Sequence, residues 1–466
     1  MAGLQSEFVL AQQAEATLPA GIQLVVSGHK LPQDSYSFMV QDVNAAEPLL
    51  TVNAEASLNP ASTMKTLTTL AALEELGPAY TWSTSVYALG EINEGTLTGD
   101  LLIKGGGDPF LVEEHFRSML KAVQRQGITR ISGNLVLDTS YFDPAVSGQT
   151  LIDNQSSRTY NVLPNALSVN FQTVTFFFSP HANGKDVVIS ADPMLPNLSI
   201  TNNLKLATGP CTGFQRGIAF DADKVDPGKL MFSGSFPASC EHYQLPRAVL
   251  DAPTYAFGMF QLLWQELGGE FGGELRTGQV SQDQQPLLIW DSVPLSDVIK
   301  SINKFSNNLM TRQLLLTLGA ERFGAPATVE KGIKAASDYL TSHNIPMDGL
   351  VINNGAGLSR AARMSTALMN NILQRGYHIS LMPEFIASLP IGGVDGTMRD
   401  RLVNAGIRGN IHVKTGSLDE VAAVAGYVNA RSGKIYAVSG ILNHELADGG
   451  PGIELMDALL AWVYEQ

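Results

Sequence analysis

Cysteine is scarce in this chain, basic runs are missing, and no apolar stretch is long. Each shortage removes a class of answer. No uninterrupted apolar segment approaches the ~20 residues needed to cross a bilayer. The formal net charge is −14 with no Lys/Arg-rich run, which argues against nucleic acid, because no basic surface is available to neutralise phosphates. The eight histidines form no His-Glu-x-x-His grouping, and Cys211 and Cys240 lack the further partners of a zinc site, so no metal or cofactor is expected. One disulfide between those two cysteines, formed in an oxidising compartment, is the expectation over two free thiols. The opening Met1-Ala2-Gly3-Leu4-Gln5 has no charged and apolar leader pattern, which leaves either a cytoplasmic protein or an exported one whose signal peptide lies outside this numbering.

What is present is the balance of a soluble globular protein, with 44% hydrophobic and 16% charged residues, enough to bury a large core. A length of 466 residues corresponds to about three domains. The segment Ile22 to Val52 reads as short strands, with Ser37–Val43 and Leu49–Val52 paired across Asn44-Ala45-Ala46-Glu47-Pro48. Then comes Asn59-Pro60-Ala61-Ser62-Thr63-Met64-Lys65, a turn signal running into apolar residues at helical spacing (Met64, Leu67, Leu70, Ala71, Leu73) that stops at Gly77-Pro78. Residues three apart share a helix face, so the Lys65 amine can reach the Ser62 hydroxyl. A serine beside an amine at the positive end of a helix is an acylatable nucleophile with a base attached. Ser-x-x-Lys also occurs at Ser27/Lys30, Ser118/Lys121 and Ser301/Lys304, so the pattern needs support from elsewhere.

From Gly77 to about Val280 short strands alternate with Pro, Gly and Asn turns, with one helix from about Thr254 to Leu267. This region reads as one or two β-rich domains inserted into the first. Lys104-Gly105-Gly106-Gly107-Asp108-Pro109 lacks the Gly-Lys-Ser/Thr ending of a phosphate loop and reads as a structural turn. Helical periodicity returns at Leu295–Lys304 and again from Leu309, with Ser306-Asn307-Asn308 between the two helices, and continues near Thr328 to Ser342 and Thr366 to Gln374. Lys414-Thr415-Gly416, which occurs once, ends a strand that begins near Asn410. A hairpin, Val421–Val428 with Lys434–Leu442, and a terminal helix, Ile453–Tyr464, follow. An antiparallel sheet with that helix across it is the economical α+β assembly.

Ser62-x-x-Lys65, Ser306-x-Asn308 and Lys414-Thr415-Gly416, in that order and context, form a specific signal for serine acyl transfer on penicillin-recognising enzymes. The chain resembles the low-molecular-mass class C penicillin-binding proteins, the D-alanyl-D-alanine carboxypeptidase/endopeptidase family of the bacterial envelope. The likeness includes the long gap between the first two motifs, Asn354-Gly355-Ala356-Gly357-Leu358-Ser359-Arg360, and Ser388-Leu389-Pro390-Ile391-Gly392-Gly393-Val394-Asp395-Gly396-Thr397. Asn307 stands where several relatives of the wider superfamily carry Asp, at the middle position of the motif, which is not the one that carries chemistry.

The resemblance implies a transpeptidase/β-lactamase-like domain, an antiparallel sheet flanked by helices, made from 1–77 and 284–466. Residues 78–283 would be an inserted β-rich region, with subdomains of roughly 78–165 plus 255–283, and 166–254. Ser62 would attack the carbonyl of a D-Ala-D-Ala peptide and Lys65 would take its proton, although the sequence leaves the acylation base open. Neutralising that lysine costs about 4 kcal/mol, to be supplied by burial and a neighbouring cation, of which Lys414 is the obvious one. Ser306 would relay the proton to the leaving group and Asn308 would hold Lys65 and the substrate amide. The backbone N–H groups of Ser62 and Ser417 would form the oxyanion hole, Lys414 and Thr415 would bind the terminal carboxylate, and Gly416 would line the substrate site with them. Arg360 matches a substrate-contacting arginine, and Asp153 matches an aspartate that reads the free amine of a diamino acid.

The expected partners are peptidoglycan stem peptides, with β-lactam antibiotics as inhibitors, in a periplasmic or extracytoplasmic setting; peripheral membrane association is left open. Two rivals differ in kind. A β-lactamase shares the acylation machinery but needs a group to activate water, and no Glu-x-x-Leu-Asn is present. A catalytically silent murein-binding scaffold would keep the fold without the chemistry.

Overall fold

The computed structural model describes residues 18–148, 151–213, 217–223, 225–281, 283–404 and 406–466. The sheet that positions the site has five antiparallel strands, in the order Ile411–Leu418, Val421–Asn429, Ile435–Asn443, Tyr36–Asp42 and Leu50–Val52. The C-terminal hairpin thus pairs with the N-terminal one, Tyr36 opposite Leu442, and closes the chain on itself. The strand Val421–Asn429 is buried at every position but its last. A strand covered on both faces reads as a continuous apolar run, and Val-Ala-Ala-Val-Ala-Gly-Tyr-Val is one.

One face is covered by the helices Ala20–His29 and Pro451–Tyr464, which bring Ile22, Val26, Leu455 and Leu459 onto Val424, Val428 and Val438. The other face carries a larger helical layer, with Lys65–Leu76 at its centre and Leu295–Phe305, Asn308–Phe323, Val329–Ser342 and Thr366–His378 around it. Residues 20–29 are therefore a helix and not the strand expected from Ile22 onward. Val25-Val26 suggested a strand locally, but Ile22 and Val26, four apart, bury together against the C-terminal helix, and tertiary packing outweighs that preference.

The helix Lys65–Leu76 is buried at every position from Lys65 to Leu73, and its threonine hydroxyls are satisfied on backbone carbonyls. Thr66 Oγ1 donates to the Thr63 carbonyl (2.8 Å) and Thr69 Oγ1 to the Lys65 carbonyl (2.8 Å). Gly77, at φ 82°, ends it.

Residues 83–291 contribute a seven-stranded mixed sheet and two three-stranded sheets. Their shared core, from Val86 to Trp264, is separate from the two cores around the five-stranded sheet. Two helices pack here, Glu113–Arg125 and Ala252–Glu266, where the sequence reading had one. Phe116, Met119, Leu120 and Val123 give the first its buried stripe, and Glu113 and Arg125 suit its dipole ends. Cys211 and Cys240 form the expected disulfide in this region. The glycine run at 105–107 is irregular backbone rather than the expected turn, with Gly105 and Gly107 N–H bonded to the distant Asp138 and Ala166 carbonyls; the turn follows at 108–110, where the Asp108 carboxylate accepts the Phe110 N–H (2.8 Å).

Helix Asn308–Phe323 joins the two parts. Trp82 Nε1 donates to Thr317 Oγ1 (2.9 Å), and the Glu321 carboxylate accepts from the hydroxyls of Tyr80 (3.1 Å) and Tyr141 (2.9 Å). Phe142, Val146 and Ala166 pack onto Leu316 and Ala320 of the same helix, which brings the segment 153–162 to the mouth of the site.

Candidate active site

The turn that carries Ser62 is fixed by Asn59. Its N–H donates to Asn443 Oδ1 (2.7 Å), its carbonyl accepts from Asn443 Nδ2 (3.1 Å), its Nδ2 donates to the Ser359 carbonyl (2.9 Å), and its Oδ1 accepts the Ala61 N–H (2.9 Å). Ala61 is held at φ 44°, a left-handed conformation that costs a non-glycine residue about 1–2 kcal/mol. A single 3₁₀ turn, Ala61–Met64, then feeds the helix, so Ser62 lies half-buried at its entrance.

Lys65 is fully buried directly behind Ser62. Its Nζ lies 2.9 Å from Ser62 Oγ, 2.8 Å from Asn308 Oδ1 and 2.6 Å from the Ala356 carbonyl. A neutral amine has two hydrogens and one lone pair. In that form the two carbonyl-type oxygens would take the hydrogens and the lone pair would face the Ser62 hydroxyl; in the charged form the amine donates to all three oxygens. Burial, then Lys414, then Arg312 hold the Lys65 amine well below the usual lysine range.

Ser306 caps the helix Leu295–Phe305 in a left-handed conformation (φ 56°), and Asn307 caps the next helix by accepting the Met310 N–H on its side chain (3.0 Å). Asn and Asp cap equally well, so the departure at position 307 leaves the turn intact. Lys414 Nζ donates to Ser306 Oγ (2.9 Å) and to the Thr415 carbonyl (2.7 Å); its complete burial brings it down to about 7. Gly416 lets the strand lie against the Ser62 turn, because a methyl there would stand 2.7 Å from the Pro60 carbonyl oxygen. Gly357 does the same from the other side, where a methyl would meet the Ala61 carbonyl oxygen at 1.7 Å.

Ser62, Lys65, Ser306, Asn308 and Lys414 therefore come together. Ser62, Ser306 and Asn308 open onto a cleft of about 390 Å³ whose walls include Ser417, Arg360 and Asp153. Thr415 turns its hydroxyl to that of Thr397 (2.7 Å). Arg360 is paired with Asp419, through the carboxylate (2.5 Å) and the carbonyl (2.7 Å). Asp153 accepts from Tyr160 Oη (2.5 Å), Asn161 Nδ2 (2.6 Å) and the Gln155 N–H (3.0 Å); burial works to raise its carboxyl, but these bonds outweigh it and hold it below the ordinary range. Two larger cavities, about 540 and 690 Å³, lie beside the segment 139–166, and Ser62 lines neither.

Several groups at the site were not among the sequence candidates. Lys304, one of the incidental Ser-x-x-Lys lysines, is buried and bound to both Asp395 oxygens (2.7 and 2.9 Å), and Asp395 also accepts the Ile391 N–H (2.8 Å). This pair ties the end of the Ser306 helix to the loop that brings Thr397 to Thr415. Arg312 stands one helical turn beyond Asn308, and Tyr160 and Asp419 face the cleft. Among the described residues no group of His, Cys, Asp and Glu could hold a metal ion, and no helix is long and apolar enough to cross a membrane.

Comparison with known proteins places this arrangement among relatives of like architecture. The model of the D-Ala-D-Ala carboxypeptidase 3 (S13) family matches residues 19–463. The chain is 28% identical over 445 residues to D-alanyl-D-alanine carboxypeptidase DacB of Haemophilus influenzae, covering 93% of this chain and 91% of that one. It is 27% identical over 415 residues to the D-alanyl-D-alanine carboxypeptidase of Actinomadura sp. (strain R39), covering 85% and 76%. The crystal structure of penicillin binding protein 4 (dacB) from Haemophilus influenzae superposes with a TM-score of 0.81 at 25% identity, over 96% of this chain and 99% of that one.

Proposed function

The chain belongs to the D-Ala-D-Ala carboxypeptidase 3 (S13) family, and from that we propose a serine DD-peptidase that cleaves D-Ala-D-Ala or D-Ala-diamino-acid bonds of peptidoglycan stem peptides through an acyl-enzyme on Ser62. The observation that carries the reading is the buried Lys65 amine at 2.9 Å from Ser62 Oγ, with its other two contacts to oxygens. Ser62 Oγ attacks the penultimate D-Ala carbonyl and its proton passes to Lys65. The peptide C–N bond then breaks and the leaving amine takes a proton by way of Ser306, which Lys414 holds in place. Water hydrolyses the ester and restores Ser62. The N–H groups of Ser62 and Ser417, both at the cleft, would stabilise the oxyanion at about 3 kcal/mol each.

In this reading Lys414, Thr415 and Gly416 receive the carboxylate of the leaving residue, and Arg360 and Asp153 contact the stem peptide. Asp153 is ionised and faces the cleft, as recognition of a free ammonium requires. β-Lactams would enter as mimics of the scissile amide; the solved Haemophilus influenzae relative is itself named a penicillin-binding protein. The Cys211–Cys240 disulfide supports an extracytoplasmic setting. The separate core of the inserted region supports its division from the rest near residue 78, while the strand Leu288–Asp291, paired with Ser83–Val86, carries the region past 283 to about 291.

Digestion of purified monomeric and cross-linked muropeptides, with products identified by mass, tests the reading. Loss of one D-alanine or scission of the cross-link is expected, and neither should occur with Ser62→Ala. Rapid turnover of penicillin with muropeptides untouched would point to a β-lactamase instead.

A further inference from the structure

Arg312 enters so far only as the third influence on the Lys65 amine, yet it is one of the most deeply placed charges in the molecule. It projects from the helix Asn308–Phe323, four residues after Asn308 and so on the same face, and is 3% exposed. Its Nη1 donates to the Val162 carbonyl (3.2 Å) and its buried Nε has no partner. No carboxylate pairs with it among the described residues. A buried guanidinium without a counter-ion is costly, and it cannot readily escape the cost by losing its proton.

Its surroundings give that charge a use. The Lys65 amine feels two cations, Lys414 from the strand and Arg312 from the helix. The loop 354–358 offers it only the Ala356 carbonyl, and Asn308 offers an amide oxygen. The acids Asp153, Asp419 and Asp448 and the Tyr160 phenol stand on the cleft wall with Arg360. Of the two cations, Lys414 is brought by burial down to about 7, whereas Arg312, brought to about 10, keeps its charge throughout the neutral range.

We propose that Arg312 is a positioning residue for acylation: its fixed positive charge keeps the Lys65 amine free to take the Ser62 proton, while its bond to Val162 seats the 160–162 segment beside Asn308. The second half of that role has its own geometry. Asn308 Nδ2 donates to the Tyr160 carbonyl (3.3 Å), so two residues of one helix face grip alternate carbonyls of the segment that orients Asp153. The helix that places Asn308 on Lys65 therefore also sets the recognition segment.

This inference rests on the assignment of Ser62 and Lys65 as nucleophile and base. The test is the rate of acylation by a fluorescent penicillin from pH 5 to 10 in the full chain, with thermal melts on each variant. Arg312→Met and Arg312→Gln should move the acid limb of the profile up by at least about one pH unit, a tenfold loss of rate below the limb. The alkaline plateau should remain, and Arg312→Lys should restore the limb at least in part. An unmoved limb in the neutral variants, or neutral variants that fail to fold beside a folded Arg312→Lys, overturns the proposal. Absence of any acylation in the unaltered protein would instead remove the reading beneath it.

Discussion

Substituting Gly416 by alanine tests how closely the Lys414 strand must lie against the Ser62 turn. The added methyl would stand 2.7 Å from the Pro60 carbonyl oxygen, 3.1 Å from Ala423 Cβ and 3.2 Å from Ala61 Cβ. Ordinary contacts lie near about 3.5–4 Å, so something must yield by roughly 0.5–1 Å. The turn is poorly able to yield. The Pro60 carbonyl already accepts from Thr63 N–H (3.2 Å) and Thr63 Oγ1 (2.6 Å), and Ala61 is locked at φ 44°. The strand must therefore retreat, taking Lys414 and Ser417 with it. Overpacking of this kind costs about 1–3 kcal/mol of stability, and a shift approaching an ångström at a reacting centre costs about a hundredfold in rate. Acylation by fluorescent penicillin and a thermal melt measure the two effects. Gly28→Ala is the control, since a methyl there meets nothing within 4 Å in an exposed helical position. If Gly416→Ala were acylated at the unaltered rate with an unaltered melt, the claim that strand and turn are in fixed contact would be wrong.

Other consequences follow from the buried charges. Lys414, lowered to about 7 in the fold, binds fewer protons there than in the unfolded chain, so stability should rise with pH between about 7 and 10. Urea unfolding should show Lys414 contributing about 2 kcal/mol between pH 7 and 9, and Lys414→Met should flatten the curve by that amount; an equal slope in both would contradict the burial argument. Asp395→Asn leaves the Lys304 ammonium buried without its counter-ion, a loss of about 3 kcal/mol, at the lower end because the Asp395 side chain is 38% exposed. Unfolding measurements on Asp395→Asn and on the double variant Lys304→Met/Asp395→Asn check this, the double variant being the more stable. Asp153→Asn should raise KM for stem peptides bearing a free diamino-acid amine by about tenfold or more with kcat little changed. Steady-state kinetics giving the reverse split would move Asp153 from recognition to chemistry.

The parts of the site that the sequence disclosed are those whose chemistry imposes local spacing. Ser62 and Lys65 must be three apart on a helix, and Lys414-Thr415-Gly416 must leave its glycine facing the Ser62 turn. Arg312 and the Lys304–Asp395 pair carry no such mark. Their partners are distant in sequence, and a lone arginine in an amphipathic stretch reads as a solvated face until the fold buries it. The Ser-x-x-Lys spacing at Ser301/Lys304 says nothing of the role of Lys304, which comes from its pairing with Asp395, 91 residues away. The helix Ala20–His29 is not legible as one because the partners of its buried face, Leu455 and Leu459, lie more than 400 residues away. The helix Glu113–Arg125 is different: its stripe from Phe116 to Val123 has plain helical spacing and is legible in the sequence despite the turns around it.

Mapping the site of β-lactam attachment tests the central claim most directly. After incubation with benzylpenicillin, proteolysis and peptide mass analysis should show one penicilloyl group on Ser62, formed at a rate that falls as pH drops through the titration of Lys65. Attachment to any other residue, or attachment to Ser62 at a rate indifferent to pH while Lys65→Met labels as fast as the unaltered protein, would contradict it.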